Sequence, residues 1–224
     1  MVSSKRRLNQ PLKVVSFDVD GTLTSSYCWI EIHEQLGTAD NARQNREAYF
    51  NGEIEYDVWA ERDAALWRGR DYSEAVKALE TPKFLDGVVE GMKRLADAGV
   101  EIILLSGGVD INNNVLSKHF PVMDSFANIL MHDDEGRIVG VDTRVGFEGE
   151  LSKGHILRQW AKEKGLDLGA VVHVGDSEND IAAFEAAGLG VAFHCHHEGT
   201  LDAADMIIAG RDFSKVVDAL LEMQ

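Results

Sequence analysis

Cysteine is nearly absent from this chain: Cys28 and Cys195 are the only two in 224 residues. Two cysteines cannot build a disulfide framework, and their scarcity suits a reducing cytoplasm. No run of eighteen apolar residues occurs, so no membrane-spanning helix is expected. Met1–Asn9 carries two arginines and a lysine but no apolar stretch, so a secretory signal is not expected either. Basic residues are outnumbered, 22 against 38 acidic, for a net charge of −16. Such a surface disfavours nucleic acid and anionic lipid as partners. The acids are dispersed rather than gathered in a tail, which fits a solvated globule. Internal repeats and low-complexity segments are also missing.

What is present is enough for a substantial core. The apolar fraction is 45%, ordinary for a globular protein. The length fits one large domain, or a core domain carrying a smaller insert. Lys13–Phe17 reads as a buried strand. From Ser25 to Pro82 the pattern is helical, with helices near Cys28–Leu36, Asn41–Phe50, Tyr56–Leu66 and Ser73–Leu79. Beyond it, helices and apolar strands alternate: Asp86–Ala98, Val100–Leu105, Asp110–Lys118, Leu151–Lys164, Ala170–Val174, Glu178–Ala187, Gly190–Phe193, Met206–Ile208 and Phe213–Leu221. Phe126–Met131 and Ile138–Val145, joined by Asp133-Asp134-Glu135-Gly136, read as a β-hairpin. That alternation predicts an α/β fold with a parallel, Rossmann-like sheet.

The chemistry gathers where predicted strands end. In Ser16-Phe17-Asp18-Val19-Asp20-Gly21-Thr22, Asp18 and Asp20 leave a strand on one side. Two carboxylates so close repel each other, a cost tolerated for a cation or for proton transfer. Ser106-Gly107-Gly108 and Gly175-Asp176 follow two further strands, and ligands of open parallel sheets bind at those carboxyl ends. Each element alone has a plainer reading. Asp176-Ser177 can cap a helix, Asp20-Gly21 can be a turn, and Lys153 can be a solvated lysine. All of them in one ordered series are not explained that way.

Asp18-Val19-Asp20-Gly21-Thr22, Ser106, Lys153 and Gly175-Asp176-Ser177-Glu178-Asn179-Asp180, in that order, resemble the haloacid dehalogenase superfamily, with the spacing of its phosphoserine-phosphatase branch. The resemblance runs from Val14 to Leu221. It implies a core of residues 1–24 and 83–224 with a helical cap, 25–82, inserted as a lid. It implies a magnesium-dependent phosphomonoester hydrolase acting on a small phosphorylated cytosolic metabolite. Asp18 is then the nucleophile that forms an aspartyl-phosphate, and Asp20 the general acid and later base. The resemblance assigns Mg2+ to Asp18, the Asp20 carbonyl and Asp176, and the phosphate to Ser106, the Gly107 N–H and Lys153. Asp180 and Asn179 support the metal and phosphate ends, and Thr22 the Asp18 loop.

Two positions depart from the branch. An ungapped alignment puts Tyr27 where phosphoserine phosphatases carry a glutamate for the substrate amine, and Asp63 where they carry an arginine for its carboxylate. Neither replacement can do the original job, so Tyr27 and Asp63 are specificity candidates, and a hydroxylated or cationic leaving group is favoured over phosphoserine. A true phosphoserine phosphatase, a phosphomutase on the same site and a non-catalytic phosphometabolite-binding module are the alternatives. His194-Cys195-His196-His197 reads as a loop at the site rim rather than a metal cluster, because adjacent residues of an extended loop diverge. Monomer and homodimer are both compatible with the chain.

Overall fold

The computed structural model describes residues 2–4, by their backbone, and 7–224. Eight strands form one sheet: β1 (Val2–Ser4), β2 (Val14–Phe17), β3 (Glu101–Val109), β4 (Asp124–His132), β5 (Ile138–Asp142), β6 (Val171–Gly175), β7 (Leu189–Phe193) and β8 (Met206–Ile208). Their order is β1-β8-β7-β6-β2-β3-β4-β5. The six inner strands run parallel, and β1 and β5 add antiparallel edges. No strand was expected at β1.

β2 lies between β3 and β6, and all four of its residues are buried. Covered on both faces, such a strand reads as a near-continuous apolar run, here interrupted only by Ser16. Alternation then divides the core. Val15, Phe17, Leu104, Val172 and Val174 pack on one side with Met92 and Leu95 of α5 (Val88–Asp97) and Val216 of α10 (Ser214–Leu221). Val14, Ile103, Leu105 and Val171 pack on the other with Leu157 and Trp160 of α7 (Lys153–Lys164).

The insert after β2 holds four helices: α1 (Cys28–Leu36), α2 (Ala39–Phe50), α3 (Tyr56–Trp67) and α4 (Tyr72–Leu79). Each matches its sequence expectation within two residues. Gly37, at φ +68°, ends α1 in the left-handed conformation that suits glycine. Two features tie the cap to the core. The backbone after α3 pairs with the β4–β5 hairpin, where the Gly69 N–H donates to the Ile138 carbonyl at 2.8 Å and the Ile138 N–H to the Arg70 carbonyl at 2.9 Å. Tyr56 packs on Phe147 of the core, with ring centroids 4.5 Å apart, and Tyr49 stacks on Trp59 at 4.8 Å. The hairpin edge is therefore occupied by the cap around Ile138.

Several boundaries differ from the sequence expectation, among them the end of β5, at Asp142 rather than Val145. β3 continues past Leu105 through Ser106-Gly107-Gly108, with its register against β4 broken between Leu105 and Val109. Glu178–Asp180 is a 3-10 turn, and α8 (Ile181–Ala186) starts after it. A short helix, α9 (Glu198–Ala203), occupies the expected loop after β7. The remaining helix, α6 (Asp110–Leu116), follows β3 directly.

Candidate active site

The loop after β2 turns back sharply. Gly21, at φ +89°, donates its N–H to the Thr24 carbonyl at 2.9 Å. A Cβ at Gly21 would lie 2.5 Å from Asp176 Oδ2, so only glycine lets the loop reach the end of β6. Thr22 Oγ1 donates to Asp176 Oδ1 at 3.0 Å. The first and last motifs are thus in direct contact.

Lys153, the first residue of α7, is fully buried. Its Nζ donates to Asp18 Oδ1 and Asp180 Oδ1, both at 2.6 Å. Gly154 sets that position: a Cβ there would come 2.1 Å from the Ala182 carbonyl oxygen, so the start of α7 is pressed against α8. Asp180 is held at both oxygens. Oδ2 accepts the Asp176 and Ser177 N–H groups at 3.1 Å, and Oδ1 also faces His173 Nε2 at 3.0 Å. His173 Nδ1 lies 2.9 Å from Ser16 Oγ. Asp180 thus folds back to cap its own turn.

The electrostatics follow from burial and crowding. Burial, with Asp180 and Asp20 nearby, pushes Asp18 up to about 6 against the pull of Lys153. Burial next to Asp18 and Asp180 pushes Asp176 up to about 9. Burial opposes the charges of Lys153 and Asp180, yet the pairing wins: Lys153 is held above the usual lysine range, and Asp180, through Lys153 and His173, below the usual carboxylate range.

Both oxygens of Asp20 are used. Oδ2 accepts the Cys28 N–H at 2.9 Å, and Oδ1 accepts Asn112 Nδ2 at 2.8 Å. Burial nevertheless raises its pKa, which favours the protonated form that a general acid needs. Cys28 is buried, and its Sγ accepts the Val109 N–H at 3.3 Å. Burial and the Asp20 charge push that thiol well up, so it is no thiolate nucleophile.

Ser106 Oγ accepts the Gly108 N–H at 2.9 Å. A Cβ at Gly108 would lie 2.5 Å from Cys28 Sγ and 3.1 Å from Asp20 Oδ2, so the glycine lets this backbone enter the site. The Gly107 carbonyl accepts Asn128 Nδ2 at 2.8 Å and Trp29 Nε1 at 3.2 Å. Asn179 Oδ1 accepts the Ser177 hydroxyl at 3.0 Å, and its Nδ2 faces Gly107. The Tyr56 hydroxyl of the cap faces Gly107 as well. Asp18, Asp20, Thr22, Ser106, Gly107, Lys153, Asp176, Asn179 and Asp180 therefore surround one place.

The two specificity candidates part company. Tyr27 is 47% exposed and lines a cleft beside Asp176. Asp63 is buried within the cap, where Oδ1 accepts Asn45 Nδ2 at 2.7 Å and Oδ2 lies 3.4 Å from His33 Nε2. Its carboxylate is engaged by the cap itself.

Sequence reasoning missed Asn112, Asn128, Tyr56 and His173 as parts of this site. Asn112 had a signal, a run of three asparagines opening a helix just after the glycines. His173 had one too, since a polar residue inside Val171-Val172-His173-Val174 needs a buried partner.

An all-oxygen donor set suits a hard cation. Oxygens of Asp18, Asp176 and Asp180 lie within 4.8 Å of one another. Asp180 is already satisfied by four donors, which leaves Asp18 and Asp176 with free oxygens, and their raised pKa values mark the repulsion that a cation relieves. These residues fit Mg2+.

The chain matches the haloacid dehalogenase-like hydrolase family over residues 12–188 and belongs to it. It is a phosphatase of that family. It is 29% identical to a phosphoserine phosphatase of Methanocaldococcus jannaschii over 205 residues, 92% of this chain and 96% of the relative. It is 28% identical to a phosphoserine phosphatase of Halobacterium salinarum over 211 residues, 88% of this chain and 97% of the relative. A phosphoserine phosphatase solved as a phospho-aspartyl intermediate analogue superposes with a TM-score of 0.81 at 28% identity, covering 94% of this chain and 99% of that one. Among the described residues, no helix is long and apolar enough to cross a membrane.

Proposed function

We propose that this chain is a magnesium-dependent phosphomonoester hydrolase that works through an aspartyl-phosphate on Asp18. The observation that carries the reading is the pair of opposite environments given to Asp18 and Asp20. Asp18 is held by Lys153 with one oxygen free to attack phosphorus. Asp20 is aimed by Cys28 N–H and Asn112 and kept ready to donate a proton to the leaving oxygen, then to take one from water. Ser106, the Gly107 backbone, Asn179 and Lys153 surround the transferring group, whose spread charge preorganised donors stabilise. Asp18 and Asp176 would hold Mg2+, which would supply charge neutralisation at the phosphoryl group.

The cap carries no residue for a phosphoserine amine or carboxylate at the two aligned positions. Tyr27 offers a phenol, and Asp63 is buried in the cap and hydrogen-bonded by Asn45. The substrate in this reading is a small phosphorylated metabolite other than phosphoserine.

The test is Mg2+-dependent phosphate release from a panel of small phosphomonoesters, with acid-quenched protein analysed for phosphate on Asp18. Release together with phosphate on Asp18 supports the reading. Release without a covalent intermediate, or unaltered turnover by Asp18→Asn, overturns the mechanism.

A further inference from the structure

A cleft of about 340 Å3 opens beside Asp176. Its walls include Tyr27, His194, His196 and Arg211. Three observations set it apart. Arg211 makes no ion pair or side-chain hydrogen bond with the described residues, although the chain carries a net charge of −16. His194 is the one non-glycine residue at positive φ among those described, at +53°. A non-glycine residue held there is strained and persists where the surroundings impose it, often at ligand sites. Its N–H donates to the Ile208 carbonyl at 3.2 Å, which fixes the backbone in that form.

The neighbouring histidines have separate roles. His197 Nδ1 is used by the Thr200 N–H, 3.2 Å away, and the Thr200 hydroxyl, 2.8 Å away, at the start of α9. His194 and His196 are not so used; their rings meet edge to face, with centroids 5.1 Å apart. A guanidinium without an ion pair among the described residues, two imidazoles and the Tyr27 phenol thus share one small cleft with a residue that serves the phosphoryl chemistry. That collection offers donors, and a guanidinium binds carboxylate and phosphate well.

We infer that the cleft lined by Arg211, His194, His196 and Tyr27 is the leaving-group subsite, and that it takes an anionic group, so that the substrate is a phosphomonoester bearing a second negative charge. This rests on the hydrolase reading above. It changes the leaving-group class expected from the cap: with Asp63 engaged inside the cap, the charge facing the leaving group comes from the core side and is positive. Asp176 lines the same cleft, but its charge is taken up when a cation is bound, and Arg211 then dominates the remaining wall.

The experiment compares kcat/KM with Mg2+ for four small esters: phosphoglycolate and propanediol bisphosphate, glycerol phosphate with a neutral leaving group, and phosphoethanolamine with a cationic one. The wild type is expected to favour an anionic ester over phosphoethanolamine by about tenfold or more, and Arg211→Ala to reduce that preference by about tenfold, the range of one charge-assisted hydrogen bond. Whichever anionic ester carries the effect names the anion, a carboxylate or a phosphate. His194→Gly provides a second reading, because glycine accepts φ +53° and keeps the fold while the imidazole is lost. It should also reduce the preference without lowering Tm. A preference for phosphoethanolamine, or an anion preference untouched in both variants, overturns the subsite while leaving the hydrolase intact. No release from any ester overturns the hydrolase reading itself, and the subsite with it.

Discussion

His173 Nε2 lies 3.0 Å from Asp180 Oδ1, the same oxygen that accepts Lys153 Nζ at 2.6 Å. Lys153 is therefore aimed by a carboxylate that a histidine holds from behind, and Ser16 holds the histidine in turn. All four side chains are buried. His173→Leu leaves the Ser16 hydroxyl without its imidazole partner and Asp180 one donor short. Each such loss costs about 1–3 kcal/mol, so urea unfolding should show a clear destabilisation. Because His173 acts through Lys153, kcat should fall while KM moves little. His173→Gln, which can still donate to Asp180, should recover part of kcat. Equal kcat in the Leu and Gln variants would reduce His173 to a packing residue.

Lys153 neutralises two carboxylates that otherwise face each other in the core. Removing one partner of such a buried set leaves uncompensated charge, at a cost of about 3–5 kcal/mol. Lys153→Met should therefore lose both phosphate release and stability. Asp18→Asn should lose release as well but keep more stability, since it removes a charge from a crowded acidic cluster. Unfolding curves for the two variants test this order, and a more stable Lys153→Met than Asp18→Asn would contradict it.

Asp63 makes a different case. Asn45 donates to Asp63 at 2.7 Å, and His33 Nε2 lies 3.4 Å away without a hydrogen bond, so Asp63→Ala strips a partner from Asn45, at about 1–3 kcal/mol. The ratio of kcat/KM between neutral and charged esters should stay as in the wild type. A variant with wild-type stability and an altered ester ratio would return Asp63 to the substrate pocket.

The fold was legible because its signals are local and repeated. The buried, mostly apolar Val14–Phe17 and the helical periodicity of Cys28–Leu79 each reflect one burial pattern, and both landed within two residues of the observed elements. The gathering of Asp18, Asp20, Ser106, Lys153 and Asp176 was legible from their ordered series. Asp18, Asp20 and Asp176 follow strand ends and Lys153 opens a helix, although Ser106 lies within the extended β3. What the sequence concealed is set by distant partners. Asn128 reaches Gly107 across the sheet, and Asp63 turns to His33, thirty positions earlier. Neither residue type nor spacing encodes such a choice. The extension of β3 through two glycines was hidden for a related reason: glycine signals a break locally, and the register with β4 does break there, but pairing resumes at Val109.

The crowded carboxylates also set how stability responds to pH and metal. Asp18 and Asp176 have pKa values in the fold of about 6 and about 9, against an ordinary 3.8. The folded protein then binds protons that the unfolded chain has released. By linkage, stability falls as pH rises through that window, roughly pH 4 to 9. Asp180 has the opposite sign, but its contribution is complete above its ordinary pKa and is lost only in stronger acid. Mg2+ competes with those protons, so its stabilising effect should grow with pH. At a hundred times its Kd it adds about 2.7 kcal/mol, or roughly 5–10 °C in Tm for a chain of this size. Thermal melts at pH 6 and pH 8, with and without Mg2+, measure both slopes. Asp176→Asn should flatten the metal-free slope and remove most of the Mg2+ response. A Tm rising with pH in the metal-free wild type, or one indifferent to Mg2+ at pH 8, would mean that these carboxylates do not repel in the way their burial requires.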